Sequence, residues 1–265
     1  MDGAQASVGE QHWWSQESTG VRMEWGPTGA LRLAGVGGFM VVVDVLSFTT
    51  SVSVVAEAGT RVIPFRWRDE RAAGHAAEHD AALAVGRRAV TPASPWSLSP
   101  AALRRAPFTP RLVLPSPNGS AIAAAAVERG AGVVAGCLRN ATAVARWLVA
   151  QGFGRPRRPV CVIPAGEHWP DGSLRPALED LLGAGAVIAA LLRAGAGPLS
   201  AEAASARAVF AAGDPAAAVR ACSSGRELTS TGFADDVAIA VEIDASGVVP
   251  ALVDGVFTDV ADALA

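Results

Sequence analysis

Residues 40–51 read M-V-V-V-D-V-L-S-F-T-T-S, from Met40 to Ser51. Met40 to Val43 is a run of β-branched and apolar side chains, the pattern of a strand buried on both faces. One carboxylate, Asp44, ends the run, and a hydroxyl cluster follows: Ser47, Thr49, Thr50 and Ser51. A charge so close to a dry interior has to be paired, bound to a metal or put to work. The hydroxyls fall where a strand gives way to a helix, and the free N–H groups of a helix start favour anions. A carboxylate beside an anion-binding turn is the pattern of a metal–phosphate site. The plainer alternative is structural: Asp44 caps the helix and the hydroxyls fill turn positions.

A chain of 265 residues is long enough for one large α/β domain, or two smaller lobes, around a sizeable core. An apolar fraction of 51% excludes a disordered protein, and a net charge of −3 gives no electrostatic case for nucleic acid. Every basic residue is Arg and Tyr is absent, which removes Schiff-base lysines and tyrosine nucleophiles from the chemistry. Cys137, Cys161 and Cys222 form an odd set in apolar or small-residue surroundings, as expected of reduced cysteines rather than a disulfide framework. The N-terminus has neither the basic start nor the apolar core of a secretion signal. The longest apolar stretch, Leu181 to Leu192, is too short to cross a bilayer. The expectation is a soluble, cytoplasmic protein with neither a membrane nor a nucleic-acid partner.

Upstream of the opening stretch, residues 1–19 are polar and read as a loose segment whose Trp13 and Trp14 dock on the body, with the domain proper spanning 20–265. Val21 to Trp25 and Ala30 to Ala34 alternate around Gly26-Pro27-Thr28-Gly29, which predicts a β-hairpin. Downstream, Thr50 to Ala58 reads as a helix stopped at Gly59, and Arg61 to Phe65 as a strand completing a βαβ unit. Asp69 to Arg88 has helical spacing. Within it, His75-Ala76-Ala77-Glu78-His79 has the spacing of an inverted zinc-protease motif, with both His on one helix face. The Arg and Ala around it read instead as a solvated face, and short motifs often arise by chance. Residues 91–111 are Pro-rich and connecting, with a short helix around Ala101 to Arg105.

From Arg111 a pattern repeats. Leu112 to Leu114 is a strand that ends in Pro115-Ser116-Pro117-Asn118-Gly119-Ser120 and enters a helix, Ala121 to Arg129. Val133 to Ala135 ends in Gly136-Cys137-Leu138-Arg139-Asn140 before a helix from Thr142 to Gln151. Residues 152–159 form a Gly/Pro/Arg linker, the candidate boundary between two lobes. Val160 to Ile163 ends in Pro164-Ala165-Gly166-Glu167-His168, and a nearly all-apolar helix, Ala177 to Arg193, then opens on Glu179-Asp180. In parallel α/β sheets, ligands bind outside the carboxyl ends of the strands. Four turns then converge: Asp44 with its hydroxyls, Asn118-Gly119-Ser120, Arg139-Asn140, and Glu167 with Glu179 and Asp180. Hard oxygen donors without a Cys/His set favour Mg²⁺ over zinc. Glu179 and Asp180 lie about 100° apart around a helix, so one faces the metal while the other orients or caps. Their structural alternative is complementation of the helix dipole.

In the tail, Ala201 to Ala212 reads as helix, and Asp214-Pro215 is an N-cap and first-turn pair for Ala216 to Cys222. Ser223-Ser224-Gly225-Arg226 reads as a break and a further anion-binding candidate. Val237 to Ile243 reads as a strand, and Val248 to Phe257 as a strand or loop against the core.

The phrases V-V-V-D-V-L-S-F-T-T-S, S-P-N-G-S, G-C-L-R-N-A, A-G-E and A-L-E-D-L-L-G-A-G-A, with the later S-S-G-R-E-L and G-F-A-D-D-V, resemble the 2-phosphosulfolactate phosphatase family from Met40 to Asp244. The resemblance implies a two-lobed α/β fold of mixed or mostly parallel sheets flanked by helices. It also implies a Mg²⁺-dependent hydrolase that removes phosphate from 2-phospho-3-sulfolactate, a step toward coenzyme M. The partners to expect are a small phosphorylated, sulfonated organic acid and a second copy of the chain. Two positions depart from the family. Members typically carry Arg after Asp-Val-Leu, where this chain has Ser47, and Gly-Glu-Arg where it has Gly86-Arg87-Arg88. Ser cannot replace the charge of a bidentate anion anchor, and Arg139, Arg87 and Arg226 are the candidates to supply it.

The sequence thus predicts phosphomonoester hydrolysis. Asp44 with Glu179 or Asp180 holds Mg²⁺. Backbone N–H groups near Ser47, Thr49 and Thr50, and near Asn118, Gly119 and Ser120, hold the oxyanions together with Asn140 and Arg139 or Arg226. Glu167 acts on the attacking water or the leaving alkoxide. A phosphoaspartate route through Asp44 and direct attack by water both fit. The competing readings are a non-catalytic small-anion binding protein on the same fold, and a phosphatase for a different small ester.

Overall fold

The computed structural model describes residues 13–33, 38–67 and 70–262. From the amino end come β1 (Val21–Met23), α1 (Gly26–Leu33), β2 (Phe39–Val43), α2 (Phe48–Glu57), β3 (Arg61–Phe65) and α3 (Arg71–Glu78). The short β4 (Ala82–Leu83), α4 (Pro100–Arg105), β5 (Arg111–Pro115), α5 (Gly119–Glu128), β6 (Gly132–Gly136), α6 (Ala141–Ala150) and β7 (Val160–Pro164) follow. A two-stranded ribbon, β8 (Glu167–His168) and β9 (Leu174–Arg175), leads to α7 (Leu178–Arg193), α8 (Ala201–Ala211), α9 (Pro215–Ala221), α10 (Ser223–Ser230) and α11 (Ala234–Ala240). The hairpin of β10 (Pro250–Val253) and β11 (Val256–Asp259) comes last.

Nine strands form one mixed, mostly parallel sheet in the order β1-β7-β2-β6-β10-β11-β3-β5-β4, with helices on its faces. β2 is its two-faced core strand. Met40 and Val42 pack with Phe48, Val52 and Ile122, while Val41 and Val43 pack with Val187, Ile188 and Leu148 on the opposite side. That double burial is what the uninterrupted apolar run in the sequence encodes.

The antiparallel hairpin β10–β11 joins two parallel sets. β1, β7, β2 and β6 are mutually parallel, as are β3, β5 and β4. β10 is antiparallel to β6 and β11 to β3, so the two sets run in opposite senses through the ladder. The expected βαβ unit from β2 to β3 is therefore not a parallel crossover: β3 sits four places away from β2 and runs against it. Five strand-to-strand steps separate β2 from β5. A right-handed twist of about 20–25° per step accumulates to more than a right angle over that distance. This brings the carboxyl ends of the two strands face to face, with Ser116 Oγ 3.5 Å from Asp44 Oδ2.

Residues 152–159 join α6 to β7, which pairs with β2. Residues 1–12 of the predicted loose segment lie outside the described residues; Trp13 is 81% exposed, so it does not dock, while Trp14 meets the Arg32 guanidinium.

Four local expectations are corrected. The predicted hairpin over 21–34 is a strand followed by a helix: Gly26, at φ +63°, turns the chain as α1 begins and Pro27 sits in its first turn, with Ala30 and Leu33 facing the core. The long helix from Asp69 to Arg88 shrinks to α3, because Asp80 turns at φ +48° and Ala82–Leu83 pairs with β5. Ser223 to Arg226 opens α10, with the Cys222 Sγ accepting from Gly225 N, and is no break. Val237 to Ala240 is helical, since Val237, Ala240 and Val241 share the helical i, i+3, i+4 face turned to the core. The Asp214 N-cap is present as expected, accepting from the N–H groups of Ala216 and Ala217.

Candidate functional site

The carboxyl end of β2 delivers Asp44 into a cavity of about 390 Å³ lined by Ser47, Arg87, Ser116, Asn118, Glu167, His168, Ser224 and Glu227, among others. Three segments far apart in the chain build its base. Asp44 Oδ1 accepts from Phe48 N at 3.0 Å, and Oδ2 accepts from Gly119 N at 3.2 Å. Gly119 is needed for that approach, because a Cβ there would collide with the Phe48 ring. Asn118 Nδ2 donates to Glu167 Oε2 and to Gly166 O, both at 3.2 Å, tying the β5 turn to the β7 turn.

Behind this wall the first turn of α7 adds two buried carboxylates. Gly183 lets α7 lie against β2, where a Cβ would come within 2.6 Å of Val45. Asp180 spends one oxygen on Val45 N and the other on Gly166 N, both at 2.8 Å. It is the clip that fixes two turns of the site. Glu179 accepts from the Cys222 thiol at 3.2 Å. Burial, then the Glu179 carboxylate, pushes that thiol up to about 11, so it stays protonated as a donor.

The electrostatics follow from crowding. Burial raises the Asp44 carboxyl above its usual range despite the Phe48 and Gly119 amides, and the Glu179 charge adds to the effect. Burial, then Asp44, then Glu179 holds Asp180 well above the usual carboxylate range. Burial, with Asp44 and Glu179, pushes Glu167 up to about 7. Against these charges the described cavity lining presents one guanidinium, Arg87, whose Nη2 donates to Ser47 Oγ at 2.7 Å. Carboxylates that raise one another's proton affinity are short of positive charge, and a divalent cation would supply it. The donor set, carboxylate and hydroxyl oxygens, suits Mg²⁺. The oxygens of Asp44, Glu179 and Asp180 do not crowd into one tight cluster. Among the described residues only His75, Glu78 and His79 bring three ligand atoms within 4.8 Å of one another.

The structure brings Asp44, Ser47, Asn118 and Glu167 together at the cavity, with Gly119 bonded to Asp44 and Glu179 and Asp180 beneath. Other expected site residues lie elsewhere. Thr49 and Thr50 are fully buried, and their hydroxyls donate to Asp44 O and Val45 O, shaping the turn. Ser120 is buried in α5 away from the cavity lining. Asn140 clamps backbone instead of substrate: its Oδ1 accepts from Cys137 N, and its Nδ2 donates to Ala135 O and Val248 O. Arg139 is consumed by Ser53, Glu57 and Glu242. Arg226 is exposed and does not line the cavity. Ser224, from the expected anion-binding candidate Ser223 to Arg226, does line the cavity; sequence reasoning missed Ser116, His168 and Glu227. Ser116 was legible as part of the turn after β5; Glu227 was not, because the start of α10 read as a break.

Fold and site together define an α/β protein whose strand ends surround a small cavity with several acidic walls and the Arg87 guanidinium. The chain belongs to the 2-phosphosulpholactate phosphatase family, whose model matches residues 30–255. Membership supports phosphatase activity on a small phosphorylated substrate. Among the described residues no helix is long and apolar enough to cross a membrane.

Proposed function

We propose that the chain hydrolyses a small phosphate monoester, 2-phospho-3-sulfolactate by family, to the free alcohol and inorganic phosphate with the help of Mg²⁺. Asp44 and Glu179 would hold the ion; Asp180 is left to position the Val45 and Gly166 amides. When bound, Mg²⁺ supplies positive charge to the phosphoryl oxygens and acidity to a water. The Asp44 carboxylate is oriented for its role by the Phe48 and Gly119 amides. Glu167, held by Asn118 and raised to about 7, accepts the proton of the attacking water at working pH. As the water oxygen bonds to phosphorus the ester P–O bond breaks, and the leaving alkoxide takes up a proton. Ser47 and Ser116 line the cavity as hydroxyl donors to the transferring group.

The observation that carries this reading is that Asp44 and Glu167, from separated segments, line one cavity with Glu179 buried close enough behind it to raise the proton affinity of both. Incubation of the purified protein with Mg²⁺ and a panel of phosphate esters, 2-phosphosulfolactate among them, tests it through released phosphate. Turnover that disappears with EDTA and in Asp44→Asn is expected. Binding of the esters without release across the panel would overturn the hydrolase and leave the small-anion binding protein.

A further inference from the structure

We infer that Arg87 is the residue that grips the phosphoryl oxygens in this cavity and that Asp236 of α11 is its positioning residue; the inference rests on the phosphatase reading above. Arg87 reaches the cavity from the 3-10 turn Arg87–Ala89, a segment apart from the strand-end turns that carry the carboxylates. The chain contains no lysine, and among the described residues no other Arg lines this cavity.

The guanidinium is fixed on three sides. Its Nε donates to Asp236 Oδ2 at 3.2 Å, its Nη2 to Ser47 Oγ at 2.7 Å, and it lies over the Phe233 ring at 5.7 Å. Asp236 is itself immobile: it is 1% exposed, and its Oδ1 accepts from Ser99 Oγ at 2.6 Å and from Ala101 N at 3.0 Å. The start of α4 thus clamps Asp236, and Asp236 aligns Arg87. A pair that served stability alone would satisfy the cation. Here only two of the five N–H donors of a guanidinium are used, leaving three without an acceptor among the described residues. Its Nη2, bonded to the cavity residue Ser47, places the guanidinium at a cavity whose other ionisable walls include Asp44, Glu167 and Glu227, none of them bonded to Arg87. A planar fork of free donors beside acidic groups that a cation would neutralise is a receptor for a tetrahedral oxyanion.

Calorimetric binding of inorganic phosphate to the full chain with Mg²⁺, alongside KM and kcat for a hydrolysed ester, tests this. Arg87→Gln should weaken inorganic phosphate and raise KM, each roughly 10- to 100-fold, the loss of a charge-assisted contact. Arg87→Lys should recover part of the affinity, since it keeps the charge without the fork. Asp236→Asn should raise KM a few-fold with kcat nearly kept. If the wild-type chain turns over esters while Arg87→Gln binds phosphate as well as wild type, the inference falls and the phosphatase reading stands. It falls in the same way if the variant loses the ester but keeps inorganic phosphate, for Arg87 would then hold a different acid group. A wild-type chain that neither binds phosphate nor releases it removes the phosphatase reading itself. Should Arg87→Gln not fold, Arg87→Lys decides: several-fold weaker phosphate binding supports the assignment, and wild-type affinity overturns it.

Discussion

Helix α2 separates two charge clusters that are built in opposite ways. At its carboxyl end Arg139, 2% exposed, is surrounded by partners: Ser53, Glu57 and Glu242, the last also held by Arg104 at 2.6 Å. At its amino end Asp44, Asp180, Glu167 and Glu179 raise one another's proton affinity, and among the described residues lining the cavity Arg87 is the one guanidinium. The first cluster is closed, with its charges answered by protein. The second is open, with acids that raise each other's proton affinity and a guanidinium whose donors are part unused. A buried charge marks function when its partners are missing, not when it is merely buried.

Substituting one residue on each side gives the sharpest contrast. Asp44→Asn is expected to cut phosphate release on the order of 10³-fold or more while the chain stays folded, because the change removes a charge from a crowded acidic group. Retention of more than a tenth of the activity would break the comparison. Arg139→Met should do the reverse. It leaves Glu57 and Glu242, each about a third exposed, without their buried cation, at a cost of about 1–3 kcal/mol in unfolding free energy from the lost charge-assisted hydrogen bonds, with kcat of the folded protein near wild type. Denaturant melts and steady-state kinetics on the same preparation read both numbers. A stable Arg139→Met with lost turnover would return Arg139 to the site.

These two clusters also show what could be read from the chain alone. Both Asp44 and Arg139-Asn140 end apolar strands and start helices, so by pattern they looked alike. The strand ends and the acidic start of α7 were legible because strands and buried helices carry strong apolar periodicity. Which turn faced the cavity was not, because it depends on the sheet reversing sense across β10–β11. That hairpin turns on Asp254-Gly255, a two-residue signal between short strands whose place in the middle of the sheet no local pattern encodes. The two departures at Ser47 and Arg87 read as separate losses in sequence. In space they meet in one hydrogen bond of 2.7 Å.

The open cluster predicts an inverted pH response in the metal-free protein. Glu167 rises from the ordinary 4.5 to about 7 in the folded chain, with Asp44 and Asp180 shifted the same way. Between those values the folded state keeps a proton that the unfolded state has lost, so stability falls as pH rises through this window. In EDTA, the thermal midpoint should drop between pH 5 and pH 8. Saturating Mg²⁺ should flatten the slope by answering the charges. A profile that is flat in EDTA, or the same with and without Mg²⁺, would show the acids to be already balanced, like those around Arg139.

The smallest effect belongs to the one tight triad of ligand atoms among the described residues, His75, Glu78 and His79. Its spacing looks like a metal motif, yet its surroundings resemble neither charge cluster. Glu78 is largely exposed, His79 Nδ1 lies 3.0 Å from His75 O at the end of α3, and the His75 ring stacks on Phe65 at 4.8 Å. These side chains finish a helix and cover an aromatic, and no buried acid awaits a cation there. The double variant Glu78→Ala, His79→Ala removes two of the three potential ligands while leaving the His75 stack. Mg²⁺-dependent turnover is expected within twofold of wild type, and stability within about 0.5 kcal/mol, as for surface changes away from buried features. A loss of turnover restored by zinc would instead make α3 a second metal centre, and proximity of ligands would outrank unanswered charge as the sign of function.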